Sequence, residues 1–266
     1  MSYIRLLTVS AAILLCAVIP FSDGRAQSIK VAALFNLTGN MSSIDGPAHK
    51  GVRLAVKQIN DKGGVIDGRK IELVAVDTQS NLQKTVTAAR DMVRSKDIVG
   101  GIGYSDTSYV LKGAPFFQDQ GIPFVTTGAT LPELPRLIGD YLFMTAFGDD
   151  AQAYALADYA SRQLKVKTCI VWTDKTTDFT RALSGHFKRR LVQNSGRIVY
   201  EDFFRSGEKS FAPLVSRLRK VSPQPEALFI AAVPGDAGRI VKEVRQAGIT
   251  LPILSGDGFD TPLIVS

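Results

Sequence analysis

Gly100-Gly101-Ile102-Gly103-Tyr104-Ser105-Asp106-Thr107-Ser108 closes an apolar run and opens a stretch with helical spacing. Glycines at a strand end, followed by hydroxyls and a carboxylate at a helix start, admit three chemistries. They suit a dinucleotide turn, a serine-nucleophile elbow, or a cradle for some other anion. The choice depends on what surrounds the stretch.

Upstream, residues 29–35 have strand character. In residues 51–60, Val52, Ala55, Val56 and Ile59 share one helical face until Gly63-Gly64 stop it. Residues 71–76 are the next strand, and Asn81 caps a helix with Leu82, Val86, Ala89 and Val93 on its inner face. That helix leads into the strand 98–102. Downstream come a helix over 109–118 containing Pro115, a strand over 122–126 and an apolar segment over 141–147. The program then restarts: helix 151–164, strand 166–172, helix 180–193, strand 197–203, helix 211–220, strand 227–233, helix 238–247 and strand 251–255. Strands separated by helices run parallel and are covered on both faces. The expected fold class is α/β, with two doubly wound parallel-sheet lobes over residues 28–146 and 148–266.

Open parallel sheets bind ligands at the carboxyl ends of their strands. In the first lobe those ends are Asn36 and Thr38, residues 77–80, residues 103–108 and residues 126–130, rich in hydroxyls and glycines. In the second they are residues 173–179, 203–206, 233–236 and 255–260, richer in carboxylates. Hydroxyls and backbone amides at a helix start suit an anion, and a facing carboxylate suits a cation. A zwitterion held between the lobes satisfies both.

Against that frame the dinucleotide reading fails, because Asp106 stands where the third glycine belongs and the stretch follows the third strand. The elbow Gly103-Tyr104-Ser105-Asp106-Thr107 lacks its final glycine. A triad built on Ser105 would need one of only two histidines, His49 and His186, both in helical or helix-leading stretches. A secreted hydrolase with Ser105 as nucleophile stays as the alternative. No histidine or thiolate pair has metal-ligand spacing, and neither a metal nor a cofactor is expected. The anion cradle remains, in a protein read as non-enzymatic.

Residues 1–26 have the form of a cleavable secretory signal, with Arg5 before a mostly apolar run and Gly24-Arg25-Ala26 at the cleavage end. Leu15 before Cys16 is too large for a lipoprotein signal, so soluble export to the periplasm is the expectation. Losing Arg5, Asp23 and Arg25 lowers the formal charge from +7 to +6. Cys169 is then alone, in an apolar strand, and no internal disulfide can form. Lys188-Arg189-Arg190 and the Arg217-to-Lys220 cluster have helical spacing without interleaved aromatics, which suits solvated faces and not a nucleic-acid groove.

Ile29-Lys30-Val31-Ala32 leading to Leu37-Thr38-Gly39, then Gly51-Val52-Arg53-Leu54-Ala55-Val56 with Ile59-Asn60 and Gly63-Gly64, resembles the start of a Leu/Ile/Val-type periplasmic binding protein of an ABC transporter. Gly121-Ile122-Pro123, Ala129-Thr130-Leu131-Pro132-Glu133-Leu134, Asp178-Phe179-Thr180 and Gly256-Asp257-Gly258 continue the likeness in order along the chain. The resemblance implies a type 1 periplasmic binding fold. It also implies a monomer whose lobes close on an amino acid, branched-chain or related, and deliver it to a permease in the inner membrane. Position by position it implies that Thr107 supplies a hydroxyl to the ligand carboxylate, and that Gly128 and Thr130 add backbone and hydroxyl contacts. Asp257 would meet the ligand ammonium, and Phe179 would pack on the ligand. Phe179 lacks the hydroxyl of the family's frequent tyrosine, Val233 stands where leucine-binding members carry tyrosine, and Asp106 brings a negative charge beside the carboxylate cradle. An amide, a more cationic amino acid or a larger apolar one is compatible with these departures. Asp106 is expected as an exposed N-cap.

Two further expectations concern the chain's layout. Trp172, at a strand end of the second lobe, is placed near the cleft rim. The resemblance also implies that elements completing both lobes are missing beyond Ser266, which would leave an exposed face on the first lobe, a tendency to associate and weak binding.

Overall fold

A computed structural model describes residues 27–264. The signal-peptide reading of residues 1–26, with Cys16, and the final two residues lie outside the described part. The first half runs β1 (Ile29–Phe35), α1 (Ser42–Asp61), β2 (Ile71–Asp77), α2 (Leu82–Arg94), β3 (Ile98–Gly103), α3 (Thr107–Asp119), β4 (Phe124–Thr126), α4 (Leu134–Ile138) and β5 (Leu142–Met144). The second runs α5 (Asp149–Arg162), β6 (Thr168–Asp174), α6 (Asp178–Gln193), β7 (Arg197–Phe204), α7 (Ala212–Leu218), β8 (Ala227–Ala231), α8 (Pro234–Gln246) and β9 (Ile253–Leu254).

Every strand pairing is parallel, in two sheets ordered β2-β1-β3-β4-β5 and β7-β6-β8-β9. Each sheet reverses direction of growth beside its first strand, between β1 and β3 and between β6 and β8. A crevice opens at such a switch point, beyond the carboxyl ends of the strands.

Local chemistry sets the helix starts. Asn81 Oδ1 accepts the N–H groups of Gln83 and Lys84 at 2.9 and 3.0 Å to begin α2, and Thr177 Oγ1 accepts Thr180 N–H at 3.2 Å to begin α6. Helix α1 begins nine residues before the start expected from the periodicity, running through Gly46 and Pro47, residue types that punctuate helices. The chain passes between the sheets after β5, through Thr145 to Gly148.

In the first lobe, the β1 side chains Ala32 and Leu34 pack with Ala89, Val110 and Phe117 under α2 and α3. On the opposite face of β1, the buried Phe35 lies 5.1 Å from the His49 ring of α1. The second lobe has a core on each side of its sheet. Cys169, Val171 and Phe229 face α5 and α6, while Ile170, Trp172 and Ile230 face α7 and α8. Trp172 is therefore not at the cleft rim: it is fully buried with Phe204 and Phe211 in the core under α7 and α8. Cys169 is buried and free, its thiol pushed up to about 12 by burial. Among the described residues no helix is long and apolar enough to cross a membrane.

Candidate functional site

The two switch points face each other across one cavity of about 220 Å³. The first lobe contributes Met41, Ile44 and Ala48 of α1 and its approach, Ser105 to Thr107 after β3, and Thr127, Gly128 and Thr130 after β4. The second contributes Phe179, Val233, Pro234, Asp257, Gly258 and Asp260. All five residues singled out from sequence, Thr107, Gly128, Thr130, Phe179 and Asp257, line this one cavity, together with the departures Asp106 and Val233.

A backbone kink aims the first wall. Gly103 adopts φ 151°, where a Cβ would sit 1.7 Å from the Leu34 carbonyl oxygen, and Tyr104 follows at φ 47°. Together they turn β3 sharply into α3. Asp45, buried on α1, fixes the turn: its carboxylate accepts Asn36 N–H at 2.7 Å and Ser105 N–H at 2.8 Å. The hydroxyl of Thr126 donates to Tyr104 C=O at 2.6 Å and accepts Ala129 N–H at 3.1 Å, holding the 127–130 loop against it.

On this frame Thr107 is the first residue of α3, and its buried Oγ1 has no hydrogen-bond partner. A buried hydroxyl without a partner, on a cavity wall at a helix start, is a donor waiting for an acceptor. Asp106 does cap α3, accepting Ser108 N–H at 2.8 Å. It is not exposed, however, but buried on the cavity wall. Burial pushes its carboxyl up to about 6; the Ser108 bond opposes that, and the Asp45 charge adds to it.

The second wall is built around Asp257, in a short 3₁₀ turn after β9. Gln152 of α5 clamps that turn, accepting Asp257 N–H at 3.0 Å and donating from Nε2 to Asp257 Oδ1 at 3.1 Å. The same amide reaches Asp149 Oδ1 at 2.8 Å, and Asp149 N–H donates to Thr130 C=O at 2.7 Å. One chain of hydrogen bonds thus runs from Thr130 in the first lobe to Asp257 in the second. Burial raises the Asp257 carboxyl and lifts Asp149 to about 7, and Asp149 keeps one buried oxygen without a partner. Opposite, the N–H of Asp178 at the start of α6 donates to Ser108 Oγ at 3.3 Å across the cleft.

Asp45, Asp149 and Gln152 were not singled out from sequence. Asp149-Asp150 behind Gly148 is a visible acidic helix start, but nothing local marks contacts spanning 60 or 105 residues. The hydrolase alternative finds no support: Ser105 Oγ shares a 3.1 Å hydrogen bond with Thr127 Oγ1. His186 Nδ1 instead lies 2.7 Å from Arg189, and His49 packs on Phe35. Among the described residues no group of three or more His, Cys, Asp or Glu side chains is placed to hold a metal ion.

Residues 28–265 match the family model described as "Periplasmic binding protein". The chain belongs to this periplasmic binding protein family. It is similar to Leu/Ile/Val-binding protein homolog 3 of Brucella melitensis, 27% identical over 243 residues that cover 91% of this chain and 65% of that protein. Its likeness to the Leu/Ile/Val-binding protein of Escherichia coli is 26% over 246 residues, with the same coverages. The solved leucine-binding protein LivK of Thermotoga maritima superposes with a TM-score of 0.82 at 28% identity, covering 89% of this chain and 65% of that one. LivJ of Streptococcus pneumoniae, solved with isoleucine, gives 0.81 at 27%, covering 87% and 65%. The chain thus spans about 65% of the length of these relatives.

Proposed function

We propose that this protein is the solute-binding component of an ABC transporter, capturing an amino acid between its lobes in the periplasm and delivering it to an inner-membrane permease. It performs no catalysis in this reading. The observation that carries it is the convergence of Thr107, Gly128, Thr130, Phe179 and Asp257 on one small cavity. Its volume of about 220 Å³ is below the roughly 300–1,000 Å³ of sites for drug-sized ligands. That suits a solute of amino-acid size. An α-carboxylate would lie against the unpartnered Thr107 hydroxyl and the start of α3, and an α-ammonium against Asp257, with the Phe179 ring over the carbon skeleton. The names of the similar proteins point to the same chemistry.

A thermal-shift screen of amino acids, amides and organic acids tests this, because a ligand at 100 times its dissociation constant stabilises by about 2.7 kcal/mol. Amino acids are expected to stand out. Asp257→Asn should then weaken the best ligand by about 2–5 kcal/mol, as truncating a desolvated charge pair does. Thr107→Ala should cost about 1 kcal/mol, since its hydroxyl is one neutral donor among several. Unchanged calorimetric affinity in Asp257→Asn defeats the assignment of the ammonium.

A further inference from the structure

The charge inventory of the cleft is one-sided. Asp106, Asp257 and Asp260 line it, Asp149 is buried next to Thr130, and no lysine, arginine or histidine is among the lining residues. An amino acid with an aliphatic side chain brings one positive group, which Asp257 would meet. Its carboxylate, against Thr107, would then lie beside Asp106 with no cation to separate the two negative charges. Like charges held together in a partly dry site repel strongly.

The start of α3 does not resolve the conflict. A helix N-terminus carries roughly half a positive charge, and Asp106 already occupies it through Ser108 N–H. The hydrogen bonds at this helix start, from Ser108 at 2.8 Å and from the Tyr109 main chain, do not offset the burial of Asp106, and no cation is among the residues that line the cavity with it. Independently of the carboxylates, the unpartnered, buried Thr107 hydroxyl marks this wall of the cavity as built for a ligand. Unlike Asp45, which accepts two backbone N–H groups behind the wall, Asp106 is on the cavity surface.

We propose that the cleft selects a basic amino acid, one with a second cationic group on its side chain, and that Asp106 is the residue that receives that group. This rests on the amino-acid-binding reading of the same cleft. A side-chain cation beside Asp106 neutralises the charge that would otherwise oppose the ligand carboxylate, so both ends of the ligand bind without conflict. Val233 and Phe179 then contact the methylene stem and not a branched terminus.

L-ornithine and L-norvaline differ only in the terminal ammonium, and calorimetric titration of the purified protein with both tests the proposal. Ornithine is expected to bind at least tenfold more tightly. Asp106→Asn keeps a capping oxygen for α3 and should lower the ornithine-to-norvaline affinity ratio at least tenfold. Asp106→Ser, another capping residue, gives a second measurement should the asparagine variant fold poorly. Asp91→Asn, on the exposed face of α2, should leave the ratio unchanged. Norvaline, leucine or glutamine binding as tightly as ornithine overturns the proposal while leaving amino-acid binding intact. A ratio that survives Asp106→Asn overturns the role of Asp106. Failure of every amino acid to bind takes both readings down together.

Discussion

The two sheets share the order of their first four strands but not a degree of enclosure. In the second lobe, every residue of the central strands β6 and β8 is buried, between one core under α5 and α6 and another under α7 and α8. In the first lobe, the corresponding strands β1 and β3 are only partly covered, and Val99 of β3 is 52% exposed. Phe143 of the edge strand β5 is 52% exposed as well. A doubly clad sheet holds itself together, whereas a sheet clad mainly on one face depends on that face and on its neighbour. The second lobe should therefore carry most of the chain's stability, and the first should carry its adaptability.

The largest test of that contrast is Phe229→Ala. Its ring stacks on Phe187 at 4.0 Å with both fully buried, and removing such a side chain costs about 3–5 kcal/mol. Urea unfolding should show this loss. A cost under about 1 kcal/mol would mean that the second lobe is not the closely packed one.

Asp149 sharpens the comparison because it lies where the lobes meet. Burial is the main reason its carboxyl stands at about 7, against an ordinary 3.8. The folded chain then holds a proton that the unfolded chain has released between those values. Stability from this group is complete below about pH 4 and is lost as the pH rises through 7. Asp149→Asn should accordingly be more stable than the parent at pH 8 by about 1–3 kcal/mol, and equal to it at pH 4. A difference that does not vary with pH would show the seam to be hydrated. The smallest effect is expected at Phe143→Ser, within about 0.5 kcal/mol as for other exposed positions. A loss of several kcal/mol there would show that this face is covered in solution, and the contrast between the lobes would disappear.

Much of the architecture was legible because strand and helix alternate with different hydrophobic periods, and because parallel sheets bind at predictable ends. Gly46 and Pro47 hid the first turns of α1, since a glycine–proline pair reads as loop, and here the helix runs on through a proline beyond its first turn. Trp172 was misplaced for a different reason. When both faces of a strand are buried, alternation no longer says which face a side chain takes, and Trp172 sides with Ile170 in the core under α7 and α8. Asp106 was visible as a cap, but nothing in its local sequence marks it as buried on a cavity wall. The hydrogen-bonded chain through Asp149, Gln152 and Asp257 was illegible because its link from Gln152 to Asp257 spans 105 residues and forms only in the folded chain.

The Gly103–Tyr104 kink separates two jobs that are often entangled. Its shape is held by the Leu34 carbonyl, by Thr126, and by Asp45 gripping the main chain of Asn36 and Ser105. Those contacts do not use the side chain of Thr107, whereas the Ser105 hydroxyl also reaches Asp45 and Thr127 and Asp106 caps α3. The cavity wall can thus change its chemistry at Thr107 while its path through space stays fixed. Under the proposed function, a lineage can therefore begin to change its solute by a single substitution at Thr107, without passing through a misfolded ancestor.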